Sequence, residues 1–276
     1  MDMSQPGSAG FVTAPVGALL SQWRKARHLS QLGLATEAGI SSRHLCFVET
    51  GRSKPSREMV LLLAETLDVP LRERNALLLA AGFAPEFSES ALDAPALEVV
   101  RRALDAMLEK HEPFPAVVMN RGWDIVRANR AGQRLFGLLL EGQPLRDAGN
   151  VLRLMFHPGG LRPFVLDWPR VAESLLLRVR REALGGFKDE VAERLLRELA
   201  SYPDIPPDLR RRLARAPAPA PVVPVGFHRG DARYRFFSVV TTLGTPQDVT
   251  AQELRIECFF PADPESAARA EAELGG

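Results

Sequence analysis

The side chains best suited to chemistry in this 276-residue sequence are Gln31, Ser41, Ser42, Arg43, Phe47, Arg52, Lys54 and Arg57. Gln31 follows Ser30 and Ser42 follows Ser41, and both serines are good N-caps at the start of a helical pattern. A helix N-terminus presents free backbone N–H groups and a positive partial charge, which suit phosphates. Arg43 stands in the first turn of the second of these helices, where a bidentate contact to guanine O6 and N7 is geometrically natural. Ser42 reaches a base edge or a phosphate, Phe47 packs on a thymine methyl, and Arg52, Lys54 and Arg57 are placed for phosphate. From Ser21 to Arg57 seven basic residues face only Glu37 and Glu49, leaving +5 on a segment of a chain whose net charge is +1. A local basic face inside a neutral protein is what a DNA-binding domain joined to a non-DNA domain should show.

A second candidate set lies further along. Trp123, Phe156, Phe164, Trp168, Phe237 and Val239, with His157, Arg162, Tyr234 and Thr241 as polar members, form an inventory that fits a mostly apolar ligand pocket. An aromatic set of this size serves as plain core just as well, and both readings stand. Catalytic signals are missing from the sequence: it has no nucleotide-binding glycine fingerprint, no G-x-S-x-G and no His/Asp/Glu pairing at metal spacing. The five histidines are scattered, so a haem sensor would rest on His157 alone. Cys46 and Cys258 have no C-x-x-C partner and read as small buried hydrophobes.

The elements that must position these groups follow from periodicity. An apolar fraction of 46% and a charged fraction of 25% describe a globular chain long enough for two domains. No apolar run approaches a membrane span, and residues 1–15 read as a disordered leader rather than a signal, so a cytoplasmic protein is expected. Residues 16–83 carry five helical patterns. Leu19, Leu20, Trp23 and Ala26 form the stripe of the first, with Arg24 off it. Leu34 and Ala35 face inward on the second, Leu45 and Val48 on the third, and Met59, Leu62, Leu63 and Leu67 on the fourth. Gly39 ends the second helix in a tight turn, which gives a helix-turn-helix.

Residues 84–94 read as a linker. Residues 95–263 read as a helix stripe, two short strands (Ala116–Asn120 and Trp123–Ala128), several helices and then three antiparallel strands. That is the order of a PAS-like domain with a five-stranded antiparallel sheet. In the last strand Leu254, Ile256, Cys258 and Phe260 alternate with Glu253, Arg255 and Glu257. Residues 264–276 read as a tail. Arg210, Arg211, Arg212 and Arg215 sit in a Pro-rich stretch and read as solvated.

Two resemblances run along the chain. SQ-x-x-LA-x-x-AGIS followed by E-T-G-R-x-x-P-S resembles the Xre/Cro-type helix-turn-helix family over Val16 to Gly82. The resemblance implies a helix-opening glutamine at Gln31, base-reading positions at Ser41, Ser42, Arg43 and Phe47, and a structural glutamate at Glu49. MNRGWDIVRAN, RLMFHPGGLRP, TTLGTPQDVT and ELRIECFFPAD resemble the ligand-binding domain of MmyB-like regulators. That resemblance implies a PAS-like pocket for a fatty acid or similar apolar small molecule. The expectation is a non-enzymatic transcriptional regulator that binds an operator as a homodimer. The other readings are a protein-interaction module with incidental DNA binding, and a haem or flavin sensor.

Overall fold

The computed structural model describes residues 14–140, 149–184, 190–203, 205 and 224–275. Residues 1–13 of the expected leader and the Arg210–Arg215 cluster lie outside them. The chain forms two compact units, Met1–Ser88 and Glu89–Gly276.

The first unit is five helices: α1 Val16–Ala26, α2 Gln31–Glu37, α3 Ser42–Glu49, α4 Arg57–Thr66 and α5 Leu71–Ala80. Local side-chain chemistry starts three of them. The hydroxyls of Ser30, Ser41 and Ser56 accept from the backbone N–H of Gly33, His44 and Met59 at 2.9, 3.1 and 3.2 Å. Gly39 turns the chain out of α2 at φ +66°, in the left-handed region that favours glycine. Leu20, Leu34, Leu45, Leu63, Leu77 and Leu78 are fully buried, each contributing about 2–3 kcal/mol of transfer free energy. Two stripes differ from expectation. In α1 Arg24 is buried and Ala26 exposed, because Arg24 meets a carboxylate inside the unit. In α4 the inward set is Val60, Leu63, Ala64 and Leu67, one residue round from the expected face, which leaves Leu62 exposed. The expected linker begins folded: Asn75 on α5 accepts from the N–H of Glu86 and Phe87 and donates to Phe87 O.

The second unit is built on an antiparallel sheet of six strands in the order β2-β1-β6-β5-β4-β3. These are β1 Ala116–Met119, β2 Ile125–Ala128, β3 Val165–Leu166, β4 Val225–Arg229, β5 Ala232–Thr241 and β6 Arg255–Pro261. The sixth strand beyond the expected five is β3, two residues too short to carry a period, which pairs Val165 with Phe227 on the sheet edge. The helices are α6 Glu98–Lys110, α7 Arg130–Leu140, α8 Val151–Phe156, α9 Trp168–Leu184 and α10 Glu190–Leu199. A short helix, Val249–Glu253, and a last one, Pro264–Leu274, flank β6.

Both faces of the sheet are covered, and side-chain alternation divides them. Val117 and Met119 of β1, Tyr234 and Phe236 of β5 and Phe259 of β6 meet α7–α10 in the larger core. Ala116, Val118, Ile256 and Cys258 meet Leu104 and Leu108 of α6. The expected tail is part of the domain. Ala270 and Leu274 of the last helix are buried in the larger core, and Ser266 Oγ accepts from Arg235 N–H at 2.9 Å.

Asn129 does more than cap α7. Its carbonyl oxygen accepts from the N–H of Ala116 and of Gly132, both at 2.9 Å, and its amide donates to Phe114 O at 2.8 Å. Asn129→Ala strands these buried groups, so a loss of about 2–3 kcal/mol is expected in denaturant titration of the intact chain. A loss below 0.5 kcal/mol would show that relaxed backbone or water replaces the side chain.

Candidate nucleic-acid and ligand sites

In the first unit α1 crosses the C-terminal end of α3 so closely that a Cβ on Gly17 would stand 2.2 Å from Val48 O. A buried ion pair fixes the crossing. Arg24 Nε and Nη2 donate to the two carboxylate oxygens of Glu49 at 2.6 and 2.8 Å, with side-chain exposures of 10% and 4%. Arg24 Nη1 also donates to Leu29 O, at 2.9 Å. Gln31 Nε2 donates to Glu49 Oε2 at 2.8 Å. One carboxylate therefore joins α1, the first residue of α2 and the last of α3. Burial pushes the Glu49 carboxyl up, but the hydrogen bonds from Arg24 and Gln31 and the arginine charge outweigh it, and its pKa is lowered. The pair raises that of Arg24.

The opposite surface holds the expected contact residues. Ser41, Ser42 and Arg43 are exposed at the start of α3, and the Arg43 guanidinium lies 5.5 Å from the centroid of the half-buried Phe47 ring. Arg52 and Lys54 are exposed in the following loop. Two expected roles shift. Gln31 has its amide N–H committed to Glu49, leaving its oxygen and the free backbone N–H groups of the helix start. Arg57 pairs with Glu86 at 2.5 Å, with both side chains about two-fifths exposed, a contact worth less than about 1 kcal/mol. Of the seven basic residues on this segment, Arg24 is internal and Arg27 donates to the Leu67 and Asp68 carbonyls at the end of α4. Sequence reasoning missed Gly17 and Arg24. The spacing of 25 residues between Arg24 and Glu49 leaves no local signal.

The pocket candidates in the second unit do not converge on one place. Phe156 meets Trp168 edge to face at 5.0 Å and Tyr202 at 6.3 Å, and His157 meets Tyr202 at 6.1 Å. Arg162 lies 5.3 Å over Trp168 and donates to Pro203 O at 2.8 Å. Phe164 packs against the same core. Tyr234 is buried elsewhere, donating its hydroxyl to Glu273 of the last helix, and burial together with Glu273 pushes that hydroxyl's pKa up. Phe237, Val239 and Thr241 lie on the other face of the sheet. Their partners across β5–β6 are Phe260, Cys258 and Ile256, so they share the face that α6 covers and are turned away from Tyr234 and Phe236.

Trp123 stands apart from these groups. It turns between β1 and β2 at φ +68°, a left-handed conformation rare for a bulky residue. The guanidiniums of Arg178 and Arg255 lie 4.4 and 5.6 Å from the centroid of its ring, and its indole N–H donates to Glu182 at 3.1 Å. Arg255 donates to the same carboxylate oxygen at 2.8 Å. Beside them Ser238 donates to Glu257 at 2.6 Å. Arg255 and Glu257 therefore belong to the face of β6 that also carries Phe259, the one toward the larger core. No group of His, Cys, Asp and Glu able to hold a metal occurs among the described residues, nor any helix long and apolar enough to cross a membrane.

A helix-turn-helix with an exposed α3 start, joined to a six-stranded antiparallel sheet layered by helices, defines a DNA-binding regulator class. Family comparison agrees. Residues 100–272 match the MmyB-like transcription regulator ligand binding domain and residues 20–74 match a helix-turn-helix model. The chain belongs to the MmyB-like transcription regulators, DNA-binding proteins with a ligand-binding domain. No curated protein matches the chain. A solved RNA-binding light-oxygen-voltage receptor is similar at 12% identity and a TM-score of 0.27, over 94% of this chain and 62% of that one. The chain thus covers less than two thirds of that receptor's length.

The lowered Glu49 pKa gives a pH prediction. A carboxylate held below its ordinary value of 4.5 contributes stability that is fully present above that value and is lost as pH falls through the folded pKa. The first unit should lose stability below about pH 4.5, and Glu49→Gln should remove that part of the acid dependence while destabilising at pH 7 by about 3 kcal/mol. Hydrogen exchange of the α1–α3 amides across a denaturant titration at pH 7 and pH 4 checks this. An unchanged acid slope in E49Q would refute it.

Proposed function

We propose that the chain is a one-component regulator that binds an operator as a homodimer, and that a small molecule held by the larger unit alters this binding. One observation carries the proposal: Ser41, Ser42 and Arg43 stand exposed on a helix N-terminus whose other face is locked by Arg24–Glu49. Gln31, Ser41 and Ser42 then face the sugar-phosphate backbone and base edges, Arg43 reads a guanine, Phe47 supports Arg43 and meets a thymine methyl, and Arg52, Lys54 and Arg57 meet phosphates. A single helix-turn-helix makes few contacts, and two half-sites about one helical turn apart supply the missing affinity and specificity.

The ligand of this reading has an apolar body, a fatty acid being the class that the family resemblance implies. Its lining candidates are Trp123, Phe156, His157, Arg162, Phe164, Trp168, Tyr234, Phe237, Val239 and Thr241, of which Phe156, His157, Arg162 and Trp168 lie together around Tyr202 and Pro203. A coupling of about 1–3 kcal/mol between ligand and DNA is enough for a switch. The place of action is the cytoplasm, beside the DNA.

Two substitutions separate base reading from phosphate contact. Arg43→Ala should cost about 1–3 kcal/mol on the operator and relax specificity at one base pair, with little loss on random duplex. Lys54→Ala should weaken both duplexes alike and reduce the slope of log affinity against log salt by about one. Fluorescence anisotropy across a salt series reads both, and equal loss on operator and random duplex for R43A would remove Arg43 as a base reader.

A further inference from the structure

α6 covers its face of the sheet only over β1 and β6, where Leu104 and Leu108 pack on Ala116, Val118, Ile256 and Cys258. The next strand, β5, presents Phe237 and Val239 to the same side, and Val239 stays 44% exposed. Phe237 stacks on Phe260 of β6 at 5.5 Å, so an apolar strip runs beside the helix. α6 has a second apolar flank of its own. The ion pair between Asp105 and Arg127 of β2 fixes one flank toward β2. At 3.6 residues per turn Val99, Ala103 and Met107 lie on the flank away from Asp105, toward β5 and solvent. All three are exposed, Val99 by 68% and Met107 by 38%. His111, just past α6, meets Phe260 at 4.9 Å, so the helix ends level with Phe237.

We infer that this strip is the contact between two copies of the chain, with the exposed flank of α6 of one copy laid on β5 of the other. The inference rests on the homodimer reading. It assigns Phe237 and Val239 to the second copy and leaves the ligand to the candidates around Tyr202 and Pro203. A two-fold axis along the strands, set between α6 and β5, carries each helix over the other copy's β5. Every contact then occurs twice, and the open strand gains the helical cover that β1 and β6 already have. Charge agrees with this arrangement. Glu109, exposed in the last turn of α6, comes level with Phe237, whose neighbours along the same face of β5 are the exposed Arg235 and Arg233. An apolar centre with a charged rim is the ordinary anatomy of a specific interface.

The test is sedimentation velocity of the full chain at micromolar concentration, where the unaltered chain should run as a dimer. Val239→Glu and Met107→Lys should each raise the dissociation constant about a hundredfold and leave monomer, since each buries unpaired charge in the contact. Both side chains are more than one-third exposed, so the fold does not depend on them. Mixed in equal amounts, the two variants should recover a dimer. The introduced charges then meet as a pair, and the second Met107–Val239 contact is unaltered. Val126→Lys, on β2 at the far edge of the sheet, should keep the dimer. A dimer that survives both single variants, a mixture that stays monomeric, or equal dissociation in V126K would overturn this inference alone. An unaltered chain that sediments as a monomer overturns it too, and one chain per operator in that case removes the homodimer reading as well.

Discussion

In the larger unit everything depends on the alternation of β6, the strand held between β1 and β5 in the middle of the sheet. A residue there faces either α6 or the helical layer of α7–α10, and the register leaves no third option. Ile256 and Cys258 turn toward α6, which commits Arg255, Glu257 and Phe259 to the opposite side. Two charged side chains thus enter a layer otherwise built of Val117, Met119, Phe236 and Leu176. Burying them is tolerable only because α9 brings Arg178 and Glu182, spaced one turn apart, to meet them. The charged side chains of β6 are thus confined to the face toward α7–α10, where they form a cluster with Trp123.

The smaller unit solves a similar problem with one ion pair. Arg24–Glu49 contributes little net free energy against an apolar pair of the same size, but its geometry is specific. It ties α1 to the end of α3 and takes Gln31 into the same carboxylate, so the start of α3 is presented at a fixed angle. Gly17 permits the close approach that the pair then fixes. A DNA-reading surface requires this, because base-edge hydrogen bonds tolerate little error in the position of their donors.

The parts legible in the sequence were those decided by neighbours in the chain. Ser30 and Ser41 show as N-caps because each satisfies an N–H three residues on. Five helices and the order of the long strands followed from periodicity. What escaped depends on distant partners. Arg24 reads as a surface residue until Glu49 is placed beside it. Phe237, Val239 and Thr241 alternate correctly, but a period of two cannot say which face is which when both are covered. The last helix, rich in Ala and Glu, hides the three residues, Ser266, Ala270 and Leu274, that bury it. Nothing in the sequence sets Arg178 and Glu182 apart from the other charges of α9, and only the sheet brings Trp123, Arg255 and Glu257 to them.

A one-component switch exists here only if the ligand-binding domain governs DNA binding. The most direct measurement takes the full chain stripped of small molecules, with the duplex it enriches from a random pool. The affinity for that duplex is then compared before and after adding the small-molecule fraction extracted from the purified protein. Ligand control predicts a change of about 5- to 150-fold in either direction, with an unchanged affinity for random duplex once salt is matched. An operator affinity indifferent to that fraction, while the fraction demonstrably rebinds the protein, would contradict it.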